Sequence, residues 1–380
     1  MTEKVKLNEI TDIYLGVTHT PEYVLDGVPF LSVKDISGGK ICFDDCKFIS
    51  QKEYNSLSEG AKPKVGDMLF CRVGTIGKPI IIPEGTPLFG SFVSLGYLRN
   101  KAKDRCNLNY LRYWMYSNSF WNQVNKNVKG ASQVNLNTGW LSNFEIRLPD
   151  FSEQTYIVSI LDKCKLIIER REEELKKFDN LIRARFVEMF GEGLKDDGKF
   201  NLKPISEIGQ VVSGATPKTS RHEYWNGDNV WITPAELSDE SFVIYNSERK
   251  LSYEGVDSCA VNLLPVGTVI LSSRAPIGKV AIAGVEMYCN QGFKNIIPRD
   301  EISSIYLYEL LKMETEYLNS LGRGATFKEI SKQIVENIRV KVPPIELQNQ
   351  FATFVAQVNK SKLLAASQPQ IHIYKTLTLL

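Results

Sequence analysis

The hydrophobic pattern of this chain changes character twice, in the same way each time. Short apolar, β-branched runs bounded by Gly and Pro come first. They are Pro29-Phe30-Leu31-Ser32-Val33 and Met68-Leu69-Phe70-Cys71-Arg72-Val73 in one half, and Val230-Trp231-Ile232-Thr233 and Val269-Ile270-Leu271-Ser272 in the other. Such runs predict strands. Asn109 to Trp121 and Ile305 to Leu318 then space aromatic and Leu residues three and four apart, which predicts helices packed on the sheet. After Pro149 and Pro343 the pattern becomes that of a long helix. Ser152 to Phe190 contains neither Pro nor Gly, and Gly191 ends the run. Ile157, Leu161, Cys164, Ile168, Arg171, Leu175, Phe178, Ile182, Arg185 and Met189 alternate steps of four and three, the seam of a coiled coil. Arg171 and Arg185 in that seam are expected to pair with acids across it. Glu172 with Lys176, and Glu173 with Lys177, add favourable i, i+4 pairs on the outer face. Such a helix of about 38 residues would be roughly 57 Å long, more than a globular core of this size needs. Leu347, Phe351, Phe354 and Val358 repeat the seam in the second half, Ser361 and Lys362 dilute it, and Pro369 predicts a kink or an end.

These parallels are residue-level. Val65-Gly66-Asp67 through Ile76-Gly77-Lys78 returns as Val266-Gly267-Thr268 through Ile277-Gly278-Lys279, at an offset of 201 without gaps. Gly130-Ala131-Ser132 and Asn143 to Pro149 return as Gly324-Ala325-Thr326 and Asn337 to Pro343 at an offset of 194. Leu7-Asn8-Glu9-Ile10 answers Ile205-Ser206-Glu207-Ile208. Matched order over nearly the whole length means two similar modules. The expected architecture is α/β in the α+β sense: a module at 1–150, a helix at 151–191, a module at 192–344 and a helix at 345–380. If the helices pair antiparallel, the modules are related by an approximate two-fold and suit two similar targets.

Composition narrows the function classes. A chain of 380 residues with 43% hydrophobic content can bury two cores of roughly 150 residues each. With 46 basic and 44 acidic residues the net charge is +2, so a basic surface would have to be local. The seven cysteines are scattered, which predicts a reducing, cytoplasmic setting rather than a disulfide framework. No signal peptide is visible, and the longest apolar stretch, Val261 to Leu271, is too broken to span a bilayer. The three histidines have no metal-ligand spacing, and Cys42 with Cys46 lacks a second pair. Gly74-Thr75-Ile76-Gly77-Lys78 lacks the spacing of a phosphate loop, and Pro79 stands where that loop has Ser or Thr. The expectation is a protein that is not itself an enzyme and carries no cofactor.

Taken with the double module and the two helices, several stretches carry a family resemblance. They are Ile205 to Gly209 with Ser213-Gly214-Ala215-Thr216-Pro217, Val230 to Pro234, Ser273-Arg274-Ala275-Pro276-Ile277-Gly278-Lys279, and Pro343-Pro344-Ile345-Glu346-Leu347-Gln348. Over essentially its full length the chain resembles the DNA-specificity subunits of type I restriction–modification systems. That resemblance implies two target recognition domains, each reading half of a split site on double-stranded DNA. It implies helices that set the spacing, two docked methyltransferase subunits, and a nuclease-translocase subunit that can join them. Base flipping and methyl transfer would belong to the partner. The first module matches less well at its start, where Tyr14 to Pro21 replaces the Ser213-to-Pro217 pattern.

Residues expected to meet DNA combine basic or amide side chains with Gly-containing loops at matching places. Arg72 with Lys78, and Arg274 with Lys279, flank the Ile-Gly-Lys turns. Lys129, Ser132, Gln133 and Asn135 surround one Gly-Ala loop; Arg323, Thr326 and Lys328 surround the other. Arg suits guanine and amides suit adenine, whereas Lys, Ser and Thr more often hold phosphates. Arg72 and Arg274 sit one position out of strict register. Trp225 and Trp231 are read as packing residues. Two competing readings are a self-sufficient restriction or modification enzyme, for which no Asn-Pro-Pro-Tyr-type or acidic metal motif is found, and a protein-binding scaffold without DNA affinity.

Overall fold

The computed structural model describes residues 3–127, 135–274, 276–324 and 328–366. They divide into two compact units, one ending at Arg171 and one running Glu172–Ala366. The helix Phe151–Phe190 begins in the first and ends in the second.

Each module is built on the same three sheets. At the base, the first strand pairs antiparallel with the last: Glu3–Lys6 with Glu145–Leu148, and Leu202–Pro204 with Arg339–Lys341. The central sheet of the first module runs Thr11–Leu15, Leu95–Asn100, Met68–Cys71, Gly77–Ile81. Its counterpart runs Gly209–Val212, Asn295–Pro298, Val269–Leu271, Val280–Ala283, with Val243–Ile244 added parallel at the edge. A smaller sheet, Tyr23–Val24, Lys47–Ile49, Val28–Leu31, Gly90–Ser91, is answered by Arg249–Leu251, Trp225–Ile232, Tyr288–Cys289. The predicted strands all form. Trp225 and Trp231 are buried edge to face with centroids 5.0 Å apart, which is packing rather than display.

The predicted core helices are interrupted. Leu108–Trp114 is followed by a break and then Asn118–Asn127; Ser304–Met313 is followed by Thr315–Ser320. Neither break holds Pro or Gly, so the hydrophobic spacing gave no warning. Hydroxyls at the breaks take the carbonyls that a continuous helix would use: Ser117 Oγ donates to Trp114 O at 2.7 Å, and Thr315 Oγ1 to Lys312 O at 2.9 Å.

Two long helices form where the sequence places them, Phe151–Phe190 and Ile345–Ala366. None of the ten expected seam positions of the first is exposed. A fully buried glutamine fixes the start of each helix. Gln154 donates to Arg105 O at 2.8 Å and Pro149 O at 2.7 Å, and accepts from Asn107 N at 2.8 Å. Gln348 repeats the pattern with Glu301 O at 3.1 Å, Pro343 O at 2.8 Å and Ser303 N at 2.8 Å.

Within the second unit the end of the first long helix packs antiparallel on the second. Phe186 and Phe190 meet Phe351 at 5.4 and 5.5 Å, Arg185 lies over the Phe354 ring, and Asp179 bonds Lys362 at 2.8 Å. Lys362 is therefore a polar rung of the pair rather than a dilution of it. Arg185 pairs with Glu188 on its own helix at 2.7 Å, not with an acid across the seam. Gly191 ends the first helix at φ +80°, and a Cβ there would sit 2.1 Å from the Asp197 carboxylate. Pro369 lies outside the described residues.

Glu309, on the helix Ser304–Met313, is 8% exposed beside this junction. Burial pushes its carboxyl up to about 7, with Lys312 and Lys362 opposing and Asp179 adding to the rise. A carboxyl raised on folding contributes stability that is present below its unfolded value of about 4.3 and lost as pH rises through about 7. Thermal melts of the chain should show this loss between roughly pH 4.5 and 7. Glu309→Gln should flatten that dependence, leaving the variant the more stable at pH 8. Gln348→Leu leaves a buried N–H and two carbonyls without partners and should destabilise the second unit by about 3 kcal/mol in urea unfolding.

Candidate nucleic-acid interface

In each module the hairpin of the central sheet starts and ends in the repeated Gly turns. Gly66 and Gly267 open it at φ +86° and +88°, donating to Ile82 O and Ala283 O. Gly77 and Gly278 lie at the other end at φ +89° and +88°. A Cβ on Gly278 would come within 3.2 Å of the Thr315 carbonyl, so the turn closes directly on the helix behind it. The next residue in each module is the expected lysine. Lys78 is exposed with a strained φ of +53°; Lys279 reaches the carboxylate of Asp239.

The loop that follows the paired core helices returns to this turn. Leu136 N donates to Arg72 O at 2.9 Å, and Val73 bridges Asn135. Ile330 N donates to Ser273 O at 2.9 Å, and Arg274 bridges Glu329. The backbone thus makes Arg72 the counterpart of Ser273 and Val73 the counterpart of Arg274. The two arginines start from adjacent, not equivalent, positions.

They are also used differently. Arg72 spends its guanidinium on protein: Nε on Leu136 O at 3.2 Å, one terminal nitrogen on Val93 O at 3.0 Å, the other on Asn135 Oδ1 at 2.9 Å. Burial lowers its pKa from the ordinary value. Arg72 therefore ties turn to loop, and its remaining donors are few. In the second module Arg274 Nε holds Glu329 at 3.0 Å and Lys294 holds the other carboxylate oxygen at 3.1 Å. Burial opposes ionisation of Glu329, but hydrogen bonds from Lys294 and then Arg274 keep its carboxyl below the ordinary value. Glu329 also pairs backbone to backbone with Arg323, and Lys328 immediately precedes this pair.

The structure therefore brings Arg72 to Asn135, and Arg274 to Arg323 through Glu329. Among the described residues, the exposed side chains of Lys78, Arg323 and Lys328 have no hydrogen-bond or ion-pair partner. Lys129, Ser132, Gln133 and Thr326 lie outside the described residues. Lys294, Glu329 and Asp239 went unnoticed in the sequence. Each acts on a residue tens of positions away, and no local spacing marks such a pair. The thiols near the turns are inert: burial pushes Cys71 up to about 11 and Cys289 up to about 12. No group of three metal-binding side chains occurs among the described residues, and none of their helices is long and apolar enough to cross a membrane.

Comparison with known proteins places this architecture. The family profile described as type I restriction modification DNA specificity domain matches residues 2–177 and again 198–371. The MjaIX specificity subunit of Methanocaldococcus jannaschii is 41% identical over 160 residues, 41% of this chain and 37% of that relative's length. The EcoR124I/EcoR124II specificity subunit of Escherichia coli is 27% identical over 229 residues, 55% of each chain. Among solved structures, the S subunit of a type I restriction–modification system from M. genitalium superimposes with a TM-score of 0.56 at 14% identity, covering 100% of this chain and 95% of that one. A chain from a structure of the assembly and conformational transition of a type I system gives 0.55 at 18% identity, covering 99% and 94%. With two copies of the domain spanning most of its length, the chain belongs to the type I restriction–modification DNA specificity family.

Proposed function

We propose that this chain is the non-catalytic, sequence-reading subunit of a type I restriction–modification complex, acting on a bipartite site in double-stranded DNA. The observation that carries the reading is the twice-built turn–loop pair. One scaffold presents basic and amide side chains in both modules, with different residues at the positions that would read bases. Two half-sites on a duplex must be met at fixed separation and helical phase. The long helices, Phe151–Phe190 and Ile345–Ala366, are assigned to the spacer that such a target requires. Lys78, Arg323 and Lys328 are assigned to phosphates, because they are exposed and have no partner among the described residues, and such cations are free to displace counterions. Arg274 and Asn135 are assigned to base edges, with Lys129, Ser132, Gln133 and Thr326 in the same loops. Arg72 and Lys279 hold the turns in place. Methyl transfer falls to two docked methyltransferase subunits, and cleavage to a nuclease-translocase subunit.

A long-read methylome of the source cell tests this, with the gene intact and disrupted. A split motif that loses its methylation on disruption is expected; a split motif that survives assigns the reading to another protein. Binding experiments separate the residue roles. Neutralising Arg323 and Lys328 together should lower affinity on all sequences and reduce the slope of log K against log salt by about one for each phosphate no longer neutralised. Arg274→Ala should instead relax selectivity at one half-site only, read by binding to substituted sites.

A further inference from the structure

Ser213 to Pro217 carries part of the family resemblance, and its backbone has more anchors than a connecting loop needs. Asn262 Nδ2 donates to Ser213 O at 2.7 Å, Ala215 N to Cys289 O at 3.0 Å, and the Trp231 indole to Ala215 O at 3.1 Å. A Cβ on Gly214 would sit 1.9 Å from Cys289 O, so only glycine fits. Pro217 is buried, yet Thr216 between these anchors is exposed. Its hydroxyl donates to Gln291 Oε1 at 2.6 Å.

Gln291 is exposed on an equally rigid tip. Asn290 N donates to Ile232 O at 3.1 Å, and Gly292 N to Asn290 Oδ1 at 2.9 Å. One further bond, Ser273 N to Gly292 O at 2.8 Å, ties this tip to the turn that carries Arg274. The Gln291 Nε2 amide has no partner among the described residues.

The first module keeps this backbone and drops the amide. At an offset of 198, Gly16 answers Gly214, Thr18 answers Thr216, Ser91 answers Cys289 and Val93 answers Gln291. A Cβ on Gly16 would sit 2.1 Å from Ser91 O, Val17 N donates to Ser91 O at 2.9 Å, and Arg72 N to Ser94 O at 3.0 Å. A side chain that changes on a constant backbone is placed to discriminate rather than to support.

Resting on the DNA-reading function proposed above, we propose that Gln291 reads guanine in one half-site, with Thr216 as its positioning residue. A free glutamine pairs with adenine, donating to N7 and accepting from N6. Thr216 claims the amide oxygen from the protein side and leaves a donor to offer. Guanine presents two acceptors, N7 and O6; adenine sets a second donor beside N7, and cytosine presents only a donor.

The test reads the methylome of the source cell carrying wild-type or variant genes. A wild-type gene that specifies no split motif would remove the DNA-reading function, and this assignment with it. Given the motif, Gln291→Leu should relax one G·C position in one half-site and leave the other half-site unchanged. Binding of the full chain to motif duplexes substituted at that position should lose discrimination by about fivefold or more. Gln291→Glu, which offers an acceptor, should shift the preference there to cytosine. Thr216→Val should keep guanine and admit adenine, because the freed amide can turn; a merely structural threonine would leave base preference unmoved. An unchanged motif in Gln291→Leu would overturn the assignment while the DNA-reading function stands. So would relaxation at a pair other than G·C, or loss of all methylation by a variant with wild-type Tm.

Discussion

Everything in this protein hangs on how a globular module is joined to a long helix, and a buried glutamine makes that joint. An amide side chain in an apolar interior costs several kcal/mol unless its groups are bonded. Gln154 and Gln348 each satisfy both donors and the acceptor at once, using backbone groups from a neighbouring loop and from the proline that precedes the helix. Three bonds from one rigid, planar group leave no freedom for the helix to rotate about its axis. The direction in which a helix leaves its module is thus determined at its first turn.

Around that shared joint the modules have diverged in charge while keeping their backbone. In the first, buried Asp67 is held bidentate by Arg99 at 2.9 and 2.7 Å; in the second, Thr268 takes the place and bonds Pro265 O at 2.7 Å. The same substitution of chemistry at constant geometry recurs at the Ile-Gly-Lys turns. Asn135 meets Arg72 in one module, and Glu329 gathers Arg274 and Lys294 in the other. A scaffold that tolerates such exchanges without moving its strands can change what it reads without changing how it is assembled.

Between the helices the pairing is mixed. Phe351, Val355 and Val358 supply apolar burial, while Asp179 with Lys362 and the raised carboxyl of Glu309 place ionisable groups at the edge of the same junction. Apolar contact gives strength without direction. An exposed ion pair adds little strength, but it is formed in only one register of the two helices.

Much of this was legible from residue order alone. Strands, both long helices, the seam positions and the repeat follow from periodicities of two, three and four, which depend on neighbours along the chain. The family resemblance rests on the same local stretches. The breaks after Trp114 and Met313 were not legible, because a hydroxyl that bonds backwards looks like any other polar residue. Nor were the partners of the candidate site. Glu329 meets Arg274 and Lys294, and Asp239 meets Lys279, across tens of residues, and only the closing of the sheet decides which charges become neighbours. Sequence alone determined where the main strands and the two long helices lie and that the pattern occurs twice. Tertiary structure decided that Arg72 braces its loop while Arg274 is held by an acid. The reason is that hydrogen-bond supply is a property of position in space, not of position in the chain.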